Sequence, residues 1–171
     1  MWVYGLRVHQ IWLTAIGRDR PGIVARIAKV LLDHRLNIED SQMRILGGRF
    51  AMMLLLRGNA SEEALYKDLL ATGRELGLDY IYVHPISEAD IQTPKPTHLA
   101  SLYGADRPGQ VAAVAERLAA LDVNITGLST RLEGKASVQE VELCVPDGID
   151  IRAELESVAH ERDIRLELME L

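Results

Sequence analysis

One motif occurs twice in this chain. Gly17-Arg18-Asp19-Arg20-Pro21-Gly22 recurs 87 positions later as Gly104-Ala105-Asp106-Arg107-Pro108-Gly109. Asn37-Ile38 recurs as Asn124-Ile125 at the same spacing, and Gly47 and Gly134 keep it too. A chain of 171 residues that carries one unit twice is expected to build two small folds of the same kind, not one medium fold.

The residues between the repeats predict the elements of each unit. Ile11 to Ile16 reads as a strand leading into Gly17. From Pro21 the apolar spacing becomes helical, with Ile23, Val24, Ile27, Ala28 and Leu31 on one stripe as far as His34-Arg35. Leu36 to Leu46 and Phe50 to Leu56 read as a hairpin around Gly47-Gly48. Ser61, followed by Glu62 and Glu63, suits the start of a second helix that carries Leu65, Leu69 and Leu76 to Gly77. Tyr80 to Val83 closes the unit.

The second copy repeats this order. Strands are expected at 99–103, 123–132, 138–145 and 164–168, and helices at 108–121 and 151–162. The expected class is α+β: two ferredoxin-like βαββαβ domains in tandem, each with four antiparallel strands and two helices on one face. The expected bounds are 1–86 and 98–171, with 87–97 as a linker extended by Pro94 and Pro96. Phe50 to Leu56 is apolar at every position, which predicts a strand covered on both faces.

Composition narrows the function classes. Nineteen basic against twenty-five acidic residues give a net charge of −6, a field that opposes phosphate binding. The apolar run Phe50 to Leu56 is far short of the ~18 residues of a membrane span, and the first residues lack the pattern of a secretory signal. A soluble, cytoplasmic protein is therefore expected, without membrane contact. Cys144 stands alone, so no disulfide framework is expected. The five histidines are scattered without ligand spacing; no metal site, no cofactor and no catalytic residue are expected.

The repeated loop leaves two readings open. Proline suits a first helical turn, so Pro21 and Pro108 are expected there. Free amides at a helix start attract a carboxylate or phosphate, whereas Asp19 could cap the same amides itself. Arg20 could pair with an anion or simply be solvated. The amide of Asn37 offers both a donor and an acceptor, as recognition of an amino acid requires.

These residues carry a resemblance. Gly17-x-Asp19-Arg20-Pro21-Gly22-Ile23-Val24, followed by Asn37-Ile38-Glu39-Asp40-Ser41, is similar to an ACT domain, the small regulatory module that binds amino acids. The tandem arrangement, with Leu46-Gly47-Gly48-Arg49-Phe50-Ala51-Met52, resembles the glycine cleavage system transcriptional repressor family. The resemblance implies a non-enzymatic regulator whose ligand is an amino acid, with glycine the first candidate. It implies a ligand cleft at an interface between domains, lined by Asp19, Arg20, Pro21, Gly22, Asn37 and Ile38, and by Asp106, Arg107, Pro108, Gly109, Asn124 and Ile125. It also implies a protein partner such as a transcription factor, and it is compatible with a homo-oligomer.

The copies diverge. Asp40-Ser41 becomes Gly127-Leu128, and Ile23 becomes Gln110. On that ground the first copy is expected to be the one that recognises polar groups. Two other functions share this strand order. An RNA-recognition module would need aromatic residues on its central strands and a basic surface, and this chain has one Phe and an acidic balance. An acylphosphatase-like hydrolase could use Arg20 and Asn37, yet no activated nucleophile is evident. A ligand-free oligomerisation module remains the other alternative. No helix-turn-helix is spelled, so direct contact with nucleic acid is not expected.

Overall fold

The computed structural model describes residues 7–87, 89, 91 and 94–171. Its internal contacts fall into two compact units, Met1–Gln92 and Thr93–Leu171. The first holds β1 (Arg7–Arg18), α1 (Ile23–Asp33), β2 (Asn37–Leu46), β3 (Arg49–Ser61), α2 (Glu62–Leu76) and β4 (Leu78–Ile86). The second holds β5 (His98–Ala105), α3 (Gln110–Ala120), β6 (Asn124–Glu133), β7 (Ala136–Cys144), α4 (Arg152–Arg162) and β8 (Ile164–Glu170). Each unit is βαββαβ, with its sheet ordered β2-β3-β1-β4 or β6-β7-β5-β8 and every described pairing antiparallel. This is the ferredoxin-like α+β architecture, twice. Part of the expected linker, residues 88, 90, 92 and 93, lies outside the described residues, as do residues 1–6. Thr97, placed in the linker on sequence grounds, is bonded into the second sheet: its N–H donates to the Leu143 carbonyl at 2.7 Å, and its hydroxyl accepts from Val145 N–H at 3.0 Å.

The 87-residue repeat is a repeat of geometry. Ile45 faces Phe50 and Met43 faces Met52; Leu132 faces Ser137 and Thr130 faces Gln139 at the shifted positions. The edge strand slips register after Ile38 in one unit and after Ile125 in the other. Both first helices end alike. Arg35 and Asp122 adopt the left-handed conformation at φ 56° and 57°. Leu36 N–H then returns to the Leu31 carbonyl at 2.9 Å, and Val123 N–H to that of Leu118 at 3.0 Å, which satisfies carbonyls left over at the helix end. α2 begins as its sequence predicts, with the Ser61 hydroxyl accepting from Ala64 N–H at 3.5 Å.

Helices and sheet enclose one core per unit. Ile11, Leu13, Leu56, Leu65 and Leu69 are fully buried in the first, and Leu102, Leu118, Leu143 and Leu155 in the second. Burying such a side chain contributes about 1.5–3 kcal/mol, so these faces hold the helices on the sheets. On β3 the inward residues Phe50, Met52, Leu54 and Leu56 join the core. On its other face Leu55 is buried, while Met53 is 50% exposed, so the expected double covering holds at one position and not at the other. Tyr80 stacks on Tyr82, and Tyr82 on His84, along β4.

Candidate functional site

The loop between β1 and α1 is shaped by Gly22, the residue that caps α1, whose φ of 93° is costly for any side chain. Gly109 repeats this at φ 87° ahead of α3. Pro21 and Pro108 therefore lie in the turn before the cap, not in the first helical turn as expected. The first backbone bond of α1 runs from Arg26 N–H to the Gly22 carbonyl at 2.9 Å; that of α3 runs from Ala113 N–H to the Gly109 carbonyl at 3.0 Å. The amides of Ile23, Val24 and Ala25, like those of Gln110, Val111 and Ala112, precede the ladder and have no carbonyl within their own helix. Asp19 does not cap them: its carboxylate accepts no hydrogen bond among the described residues. Its backbone N–H instead reaches the Gly48 carbonyl in the β2–β3 turn at 3.0 Å, as Asp106 N–H reaches that of Lys135 at 3.2 Å.

The loop arginines turn away from these amides. The guanidinium of Arg20 lies over Gly77, the αL residue at the end of α2, so close that a Cβ there would stand 2.6 Å from its Nη2. Arg107 donates to the Arg162 carbonyl at 3.4 Å and to the Asp163 carboxylate at 3.3 Å, at the end of α4. A cation at a helix C-terminus meets the negative end of the dipole, which gives both arginines a local partner.

Between α1 and β2 runs a groove. Every residue of β2 is exposed, because α1 leaves this edge strand uncovered. At the loop end a cavity of about 480 Å³ is lined by Asp19 to Ala25 together with Met43, Ile45 and Phe50. Val24 and Met43 also line an adjoining cavity of about 270 Å³, with Ile27, Ala28, Ile38, Ser41, Met52 and Leu54. The groove thus has uncapped amides at one end and apolar side chains along its floor.

Not all the expected residues meet. Asp19, Arg20, Pro21 and Gly22 share the loop end, and Ile38 lines the farther cavity. Asn37 lines neither of these cavities; it starts β2 beside the far end of α1, and eleven helical residues span roughly 16 Å. Asn124 likewise starts β6, opposite Cys144, while Ile125 packs on the second core. Antiparallel return is the reason, since the strand that follows a helix begins where that helix ends. The residues of β2 and β3 that line the cavity with the loop are Met43, Ile45 and Phe50, which the motif did not single out. Alternation along the hairpin from Gly47-Gly48 was the available signal.

Three buried polar side chains meet in the second unit. Gln110, Ser137 and Gln139 are buried at 3%, 2% and 4% exposure, where the first unit has Ile23, Phe50 and Met52. Gln110 Nε2 donates to the Ala105 carbonyl at 2.9 Å, and Gln139 Nε2 lies 3.2 Å from Gln110 Oε1 and 3.3 Å from Ser137 Oγ. Gln139 Oε1 is buried without a hydrogen-bond partner. The carboxylate lost with Asp40 is replaced from the neighbouring strand: a Cβ on Gly127 would meet Glu142 Oε2 at 2.7 Å.

Comparison with known proteins agrees with this architecture. The ACT domain family matches residues 9–82. The UPF0237 protein MK1213 of Methanopyrus kandleri is 44% identical over 75 residues, 42% of this chain and 83% of that protein. The glycine cleavage system transcriptional repressor of Escherichia coli is 32% identical over 127 residues, 73% of this chain, and the match spans 66% of the repressor's length. A crystal structure of an unknown protein from Galdieria sulphuraria superposes with a TM-score of 0.78 at 26% identity, covering 96% of this chain and 99% of that one. No helix among the described residues is long and apolar enough to cross a membrane. The chain belongs to the ACT-domain proteins, as two such domains in tandem, and is related to the glycine cleavage system transcriptional repressors.

Proposed function

We propose that this chain is a non-enzymatic regulator that binds an amino acid and answers by changing a contact with another protein, as in the control of glycine cleavage. The observation that carries the reading is the groove of the first domain, where the uncapped amides of Ile23, Val24 and Ala25 border a cavity of about 480 Å³ floored by apolar side chains. Amides at a helix N-terminus suit a carboxylate, and the floor suits carbon. The ligand-binding residues are Asp19, Arg20, Pro21, Gly22 and Ile38 and their counterparts in the second domain, with Arg20 and Arg107 holding the loop from behind. Asn37 and Asn124 act at the far ends of α1 and α3. Glycine, implied by the related repressors, is the first ligand to test, and a transcription factor is the first partner. The setting proposed is the cytoplasm, without direct contact to nucleic acid.

A ligand regulates only by binding two states of the protein unequally. Calorimetric titration of the full chain with each of the twenty amino acids, repeated on Asp19→Ala and Asn37→Ala, tests the reading. Saturable heat with at least one amino acid, weakened in Asp19→Ala, is expected. No heat and no thermal shift with any of them would leave a ligand-free oligomerisation module as the better description.

A further inference from the structure

The first sheet has a second face, turned away from its helices, and its side chains are not those of a surface left to water. The core takes Leu13, Ala15, Met52, Leu54, Ile81 and Val83, so alternation turns Thr14, Ile16, Ala51, Met53, Tyr80 and Tyr82 to the other side. Met53, Tyr80 and Tyr82 are 50%, 49% and 45% exposed there, and a shallow cavity of about 240 Å³ opens beside Met53, between Ile16 and Arg44. Charged residues occupy the same positions of the second sheet. Ser101 faces Glu140 and Glu167 as Thr14 faces Met53 and Tyr82; Leu99 faces Glu142 as Trp12 faces Leu55; Tyr103 faces Arg165 as Ile16 faces Tyr80. All four charged residues are exposed, as on an ordinary solvated sheet face.

Strand pairing sets the first face out in rows that run from β2 to β4. One row is Arg44, Ala51, Ile16 and Tyr80; the next is Gln42, Met53, Thr14 and Tyr82; the third is Asp40, Leu55, Trp12 and His84. A two-fold axis along the strands, between β3 and β1, lays each row on its own reverse. Large side chains then meet small ones: Ile16 lies over the partner's Ala51, and Met53 over the partner's Thr14. At the row ends Arg44 comes over the partner's Tyr80, a cation on an aromatic face, and Gln42 reaches the hydroxyl of the partner's Tyr82. Asp40 comes beside the partner's His84. Asp40 Oδ1 accepts from Ser41 N–H at 2.7 Å and His84 Nδ1 lies 3.3 Å from Tyr82 Oη, which leaves Asp40 Oδ2 and His84 Nε2 unengaged among the described residues. An axis across the strands would instead set Trp12 on Ile16 and Met53 on Met53, large on large, which packs poorly.

We propose that this face binds a second copy of the chain, sheet against sheet, about the axis along the strands. The second copy is the occupant because the rows complement themselves in shape, charge and hydrogen bonding, and an aligned sheet pair holds this register within its usual twist. Four strands and about seven residues of each measure roughly 19 by 24 Å, so the pair buries about 900 Å², the size of a weak, reversible dimer. The contact covers Met53 and so completes the double cover that the apolar run on β3 calls for. It needs no ligand and stands apart from the amino-acid reading.

Sedimentation velocity of the full chain, over a series from micromolar to millimolar concentration, is expected to show a reversible monomer–dimer equilibrium. Met53→Glu places two charges in the interface, one from each copy, and should weaken the dimer roughly tenfold or more; Met53→Leu should leave it intact. Circular dichroism checks that both variants are folded. Orientation is read by cross-linking on a Cys144→Ser background. Arg44→Cys combined with Tyr80→Cys should give a covalent dimer with a short bismaleimide, because opposite edges of the two sheets meet, whereas either substitution alone should not. A chain that stays monomeric throughout, a dimer indifferent to Met53→Glu, or single substitutions that cross-link as readily as the pair would overturn the proposal, and each result leaves the amino-acid titration to be judged on its own heat.

Discussion

Arg107 lies 3.3 Å from the Asp163 carboxylate, which ties the loop ahead of α3 to the end of α4. Both side chains are well exposed, at 55% and 85%. An exposed pair of this kind contributes 0 to ~1 kcal/mol, so its importance is in aiming the loop. Arg107→Ala is expected to shift the urea midpoint only slightly. A loss beyond about 1 kcal/mol would mean that the arginine carries more of the fold than this pair accounts for.

Gly22 and Gly109 give a larger effect for a smaller change. At φ 93° and 87°, alanine at either position should cost about 1–2 kcal/mol through backbone strain. The space around Gly22 is open, with nothing within 4 Å of a built Cβ, so no steric clash is added there. Urea unfolding of Gly22→Ala that matched the wild type would refute the strain.

Arg35 provides the opposite sign. It is exposed and holds φ 56° at the end of α1, where most helices place glycine. Arg35→Gly is expected to raise the midpoint of thermal unfolding, by a gain of roughly 1 kcal/mol against the left-handed cost. Asp122→Gly should behave alike in the second domain, at φ 57°.

The polar trio calls for a double-mutant cycle. Gln110→Ile alone removes the acceptor of Gln139 Nε2 and the donor to the Ala105 carbonyl, and should cost about 1–3 kcal/mol. Gln139→Met added to it removes the stranded amide, so the pair should cost less than the sum of the singles. Strict additivity in chemical denaturation would show that the two side chains do not act as a unit.

Much of this was legible in the amino acids. Apolar periodicity, the turn glycines and the cap at Ser61 together located the eight strands and four helices of the described residues, and the motif spacing of 87 matched the strand registers. Strand ends were harder: β1 extends from Arg7 to Arg18, well beyond Ile11–Ile16, because pairing with β3 continues past the apolar stretch. Position along the groove was hidden as well. Asn37 follows the loop in the motif, yet a helix lies between them, and the strand residues that line the cavity with Gly22 come from β2 and β3. The roles of Arg20 and Arg107 depend on the ends of α2 and α4, more than fifty residues onward, which no local pattern encodes.

The backbone bonds from Asp19 to Gly48 and from Asp106 to Lys135 give each repeated loop a mechanical property. The segment that would grip a ligand is latched to the tip of the β2–β3 or β6–β7 hairpin. It cannot be drawn toward the groove without pulling that tip with it or snapping the latch. A ligand held at the helix start would thereby put tension on the edge strand, the part of each domain best placed for another molecule to feel.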